Sequence, residues 1–134
     1  PYKVGVHQHV PEIAQLLGFT VSFTPHLLPL RRGLIATCNV QGDGADLREL
    51  LEEAYAGSPV VSVLPEGASP ELSRVQGTDT AEIGVFADRF TDRSMVICAI
   101  DNLGKGAAGQ AIQNANIALG LDPTLGLRLQ GVRV

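Results

Sequence analysis

The apolar positions of this chain fall into short runs, some alternating with period two and some spaced three or four apart, broken by Gly and Pro. Residues 2–9 alternate, with Tyr2, Val4 and Val6 opposite Lys3, Gly5, His7 and His9, and predict a strand. Pro11 suits the first position of a helix running to Leu17, with Glu12 at its positive end and Gly18 as its stop. Residues 19–23 are aromatic and β-branched, a second strand. Residues 24–30, with Pro25 and Pro29 around His26, read as an ordered, irregular turn. Residues 32–40 alternate again, placing Leu34, Ala36, Cys38 and Val40 on one face of a strand. After a turn at Gly42-Asp43-Gly44, the stripe Leu47, Leu50, Leu51 and Ala54 predicts an amphipathic helix ending near Gly57.

Further along, 60–64 is a short apolar strand and 65–77 a polar surface excursion. Residues 81–86 and 94–101 read as strands joined by a hairpin through Thr91-Asp92-Arg93. The longest helix is expected over 103–119, where Ala107, Ala108, Ala111, Ala115 and Ala118 would let a partner surface approach closely. Residues 127–134 could add a last strand. Mixed strands and helices without strict alternation indicate an α+β fold with a mixed, largely antiparallel sheet and helices on one face.

Composition sharpens this. At 134 residues the chain is expected to be one domain, 1–134. Only 18% of its residues are charged, which points to a surface covered by another domain or subunit. A net charge of −4 with scattered Lys and Arg argues against nucleic acid as a partner, and no stretch has the length of a transmembrane helix, which argues against a membrane. The chain opens on Pro1 and enters its first apolar run without a signal peptide, so it is expected to be a fragment of a larger protein. Cys38 and Cys98 have no metal-ligand or CxxC spacing; no metal site is expected, and both thiols read as small core residues without a disulfide.

The candidate chemistry centres on His7-Gln8-His9 followed by Glu12. On a strand the two imidazoles would lie roughly 6–7 Å apart on one face, at about 3.3 Å of rise per residue. Such a pair suits proton exchange near neutral pH, although a polar face or satisfied core histidines would give the same spacing. Gly104-Lys105-Gly106 with Gly109 could bind an anion at a helix start or could simply pack closely, and it matches neither the Walker nor the GxGxxG pattern. Asp101-Asn102 is a good N-cap pair, and Arg31-Arg32-Gly33 could hold a carboxylate or phosphate or merely end a strand.

In chain order, His7-Gln8-His9-Val10-Pro11-Glu12-Ile13, Phe23-Thr24-Pro25-His26-Leu27, Arg32-Gly33, Asp101-Asn102-Leu103 and Lys105-Gly106-Ala107-Ala108-Gly109-Gln110-Ala111 resemble the N-acetyl-gamma-glutamyl-phosphate reductases. These are enzymes of the semialdehyde-dehydrogenase and glyceraldehyde-phosphate-dehydrogenase-like group, and the resemblance runs from residue 1 to about residue 120. It implies the catalytic and dimerisation part of a cytoplasmic, homo-oligomeric, NADPH-dependent enzyme of arginine biosynthesis. The substrate would be an acyl phosphate, N-acetyl-gamma-glutamyl phosphate, reduced to the semialdehyde. In this family a cysteine attacks the acyl phosphate and expels phosphate, hydride reduces the thioester, and a histidine moves the protons. The resemblance gives that acid/base role to His9 and substrate contacts to His7, Glu12 and Arg32. It gives the contact with the nicotinamide of NADP to Asn102. The family's N-terminal Rossmann domain and nucleophilic-cysteine motif do not occur here, Cys38 and Cys98 do not occupy that motif, and Gln8 stands where many relatives carry arginine. The chain alone is therefore expected to bind NADP weakly and not to catalyse. From the residues without the resemblance, a non-catalytic oligomerisation or small-ligand-binding module is the other expectation.

Overall fold

The alternating runs pair as the period-two pattern requires. In the computed structural model, which describes residues 1–131, strands β1 (Leu34–Gln41), β2 (Val61–Val63), β3 (Ala81–Ala87) and β4 (Arg93–Ile100) form one sheet in the order β1-β4-β3-β2. β4 lies antiparallel to both β1 and β3, while β2 runs parallel to β3, so the sheet is mixed and largely antiparallel in an α+β fold. Ala81, Ile83 and Val85 of β3, Ala99 of β4, Val60 and Val75 are the buried apolar residues. The core therefore sits along β3. The helices are α1 (His9–Leu17), α2 (Gly44–Ala54), the single-turn α3 (Leu72–Val75) and α4 (Gly109–Ala118), the last preceded by a π-helical turn at Gly104–Ala108. None of them is long and apolar enough to cross a membrane.

By its internal contacts the chain divides into a unit Pro1–Arg31 and a second unit from Arg32 onward. In the first, α1 ends where Gly18 turns left-handed at φ 75° and returns its N–H to Ala14 O at 2.9 Å. The expected strand over 2–9 does not form. Lys3 (φ 46°) and Gly5 (φ 73°) break the extended backbone, Val6 N closes a turn on Lys3 O at 3.1 Å, and the helix begins already at His9. Residues 19–23 are not a strand either, because a strand needs a ladder partner and the one long-range backbone bond here is Tyr2 N to Pro25 O, 3.1 Å. Residues 24–30 are irregular, as their prolines require. α1 has no buried residue, and Leu16, Leu27 and Val6 are each more than three-quarters exposed.

In the second unit, Asp43 caps α2 by accepting from Ala45 N at 2.7 Å. Leu47 and Leu51 turn inward, but Leu50 is exposed, so the burying stripe is narrower than the sequence indicates. A Cβ at Gly44 would meet Ala87 and Ser94, and one at Gly106 would meet Ile100, so α2 and the π-helical turn lie on the Ala87/Ser94/Ile100 face of the sheet. Residues 65–77 are more than a surface excursion: Pro70 and Val75 are buried, and Pro70 approaches Gly84 so closely that a Cβ there would lie 2.8 Å from Pro70 Cδ. β1 is an edge strand exposed at every position except Val40. Cys38 is consequently exposed and Cys98 half-buried, which corrects the reading of both as core residues. The long helix begins as a π-turn because Gly106 N bonds back to Asp101 O and Ala108 N to Leu103 O. No strand forms over 127–131, where Asp79 exchanges backbone and side-chain bonds with Arg128 instead; the rest of the expected last strand lies outside the described residues.

Candidate functional site

The two histidines stand at the start of α1. His7 is only 6% exposed, held edge-on between the rings of Tyr2, Phe23 and His9 at centroid distances of 5.3, 5.2 and 4.8 Å. Its Nδ1 accepts from His9 N at 3.2 Å, so the neutral ring carries its proton on Nε2. Burial lowers the His7 pKa below its ordinary value; the neighbouring His9 and Lys3 add to this and Glu12 opposes it. His7 thus acts as a neutral acceptor at a helix start, supplementing an N-cap residue, Gln8, that makes no side-chain cap. His9 and Glu12 are exposed, on the first turn of α1. Imidazole is the side chain best suited to exchanging protons near neutral pH.

The second constellation closes one end of the sheet. Asp101 follows the last residue of β4 and is fully buried. Its Oδ1 accepts from Arg32 Nη2 (2.8 Å), Leu103 N (2.9 Å) and Gly104 N (3.0 Å), and its Oδ2 accepts from Gly77 N (2.6 Å). Arg32 Nε lies 2.7 Å from Oδ2, close enough for an ion pair but not aligned for a hydrogen bond. Burial alone would raise this carboxyl's pKa, but Arg32 and the three N–H groups outweigh it and hold the group well below the usual carboxylate range. Capping by Asp101 is therefore part of a larger junction. Asn102 does not cap the helix; its Oδ1 accepts from Gly33 N at 2.6 Å. Arg32 has committed one Nη2–H to Asp101, and the outer edge of the guanidinium, with Nη1 and the second Nη2–H, is what remains for any other anion.

The glycines around 104 and 109 are explained by packing. A Cβ on Gly104 would run into Thr78 O, and one on Gly109 into the Asp79 carboxylate. Lys105 is half-buried, its pKa lowered by that burial, and it donates to Gln113 Oε1 at 2.7 Å. Among the described residues no cluster of three or more His, Cys, Asp or Glu could hold a metal. Burial raises the Cys98 pKa, the opposite of what a nucleophilic thiol needs. The histidines and the Asp101 junction belong to different units. The sequence pattern missed the hub role of Asp101, since its partners at 32, 77 and 104 lie in three separate segments.

Comparison with known proteins gives these residues a context. Residues 1–102 match the family described as semialdehyde dehydrogenase, dimerisation domain. The chain is similar to proteins named N-acetyl-gamma-glutamyl-phosphate reductase. It is 49% identical to that of Salinispora arenicola over 98% of this chain and 40% of the relative. For Arthrobacter sp. the identity is 50% over 98% and 42%, and for Geobacter sp. 48% over 93% and 39%. The chain thus spans about two fifths of the length of these relatives.

Proposed function

Because this chain belongs to the semialdehyde dehydrogenase dimerisation-domain family, we propose that it supplies the acid/base and the subunit interface of an N-acetyl-gamma-glutamyl-phosphate reductase. The observation that carries the reading is the exposed His9 imidazole beside a buried, neutral His7. His9 takes the proton from a nucleophilic cysteine thiol supplied from outside these residues and later returns it to the departing group. A charged His7 with its ring centroid 4.8 Å away would oppose that step, and its burial keeps it neutral. His7 offers the acyl-phosphate substrate its Nε2–H, Glu12 lines the first turn of α1, and Arg32 offers an anion the outer edge of its guanidinium.

NADPH supplies the hydride when bound. Toward it this chain presents the Asn102 amide, whose Nδ2 has no hydrogen-bond acceptor among the described residues and suits a carboxamide ligand. Most of the cofactor's binding surface lies outside these residues, so the isolated chain is inactive. The whole enzyme works in arginine biosynthesis, in the cytoplasm. A second copy covers the β1 side of the sheet, where Leu34 and Ile35 are 44% and 50% exposed.

Full-length enzyme carrying this chain should reduce NADP when given N-acetylglutamate semialdehyde and phosphate, the reverse reaction. His9→Ala should lower kcat by about 100-fold or more, the usual contribution of a positioned acid/base. Near-normal turnover in that variant would remove His9 from the mechanism.

A further inference from the structure

All the groups gathered round Asp101 are donors: one guanidinium and the N–H groups of Gly77, Leu103 and Gly104. Arg32 is fixed by this contact, and the next residue, Gly33, directs its N–H at Asn102 Oδ1. A main-chain N–H can only donate, so the side-chain amide has one possible orientation, oxygen toward Gly33 and Nδ2 away from it. Gly33 suits this place because its φ is 122° and a Cβ would lie 2.9 Å from the Leu72 side chain. Asn102 is half-buried, and among the described residues its Nδ2 has no acceptor within hydrogen-bond distance.

We propose that Asp101 is a positioning residue: by anchoring Arg32, and through it the Gly33 N–H, it holds the Asn102 amide with its oxygen on Gly33, so that the group turned to a ligand is the Nδ2 donor. The inference rests on the reading that Asn102 faces the nicotinamide ring. On that reading the group recognised is the carbonyl oxygen of the carboxamide, and the carboxamide NH2 goes unread.

The test uses full-length enzyme and three dinucleotides. One is NADP; in the second an acetyl group replaces the carboxamide, keeping the carbonyl but not the NH2; in the third the carbonyl oxygen is sulfur. Wild type should bind the acetyl compound within about twofold of NADP and the thio compound about tenfold more weakly, the worth of one ordinary hydrogen bond. In Asp101→Asn the new NH2 must face one of the four donors, so the junction loosens. The KM for NADP should rise about tenfold, and the preference for oxygen over sulfur should collapse. Arg32→Lys keeps the charge but loses the planar fork, and should move both readouts the same way by a smaller factor.

A purely structural role would lower the fraction of active enzyme, and so kcat, while leaving KM and analogue preference alone. Wild-type preference in a folded Asp101→Asn or Arg32→Lys overturns the proposal; if the first does not fold, the second decides. A wild-type enzyme that rejects the acetyl compound and accepts the thio compound also overturns it. If Asn102→Ala leaves all three affinities unchanged, the cofactor reading of Asn102 is itself wrong, and this inference falls with it.

Discussion

Replacing Gly109 with alanine should destabilise the protein, against the usual rule for a helix. In an ordinary helix interior the exchange gains about 0.5–1 kcal/mol. Here the added Cβ would lie 2.5 Å from Asp79 Cγ and 2.9 Å from Asp79 Cβ, and closer still to Oδ1. The carboxylate cannot stay, yet its Oδ2 accepts from Arg128 N at 2.8 Å, while Asp79 N donates to Arg128 O at 2.7 Å. Overpacking of this kind costs about 1–3 kcal/mol. The lost charge-assisted bond is solvent-exposed and adds about 1 kcal/mol rather than the larger value of a buried one. Subtracting the helix gain leaves a net loss of about 1–3 kcal/mol. Urea unfolding at constant slope would read this as a lower midpoint. The control is a cycle with Asp79→Ala, which should cost less in the Gly109→Ala background than in the wild type because the clash with the carboxylate has gone and only the 2.9 Å approach to Cβ remains. A variant as stable as the parent, or additivity within about 0.5 kcal/mol, would refute the argument.

Nitrogen-resolved NMR should find His7 as the Nε2–H tautomer, titrating below the ordinary value of 6.5. Because its folded-state pKa is depressed, the unfolded chain binds the proton more readily; the stability it contributes is complete above pH 6.5 and declines as pH falls from 6.5 toward the folded value. A His7 titrating at or above 6.5 would contradict the buried, acceptor role. Thiol reagents should modify exposed Cys38 faster than half-buried Cys98, whose pKa burial raises. Cys38 labelling should slow as protein concentration rises, and a rate independent of concentration would argue against a second copy on the β1 side.

The sheet was legible because its strands carry their own punctuation: alternating apolar runs at β1, β3 and β4 and a short hairpin with Asp and Arg between the last two. The same pattern misled at 2–9, where Lys3 and Gly5 adopt left-handed backbone that alternation does not reveal. It misled again at Cys38, since an alternating face is buried only if something covers it, and β1 is an edge. Among the site residues, the pairing of His7 with His9 was visible as a spacing, but the tautomer fixed by His9 N was not. Arg32 in its Arg31-Arg32-Gly33 setting suits an anion; that its anion is Asp101, 69 residues away, depends on which segments the sheet brings together.

That separation also bears on how the chain folds. β3 and β4 are joined by a tight hairpin and can pair as soon as both are present. β1 has to wait, because Leu34 pairs with Ile100 and Arg32 has no counter-ion until Asp101 exists. During synthesis an uncompensated guanidinium and a strand with both edges unpaired must therefore stay in solution until the segment carrying Ile100 and Asp101 has left the ribosome.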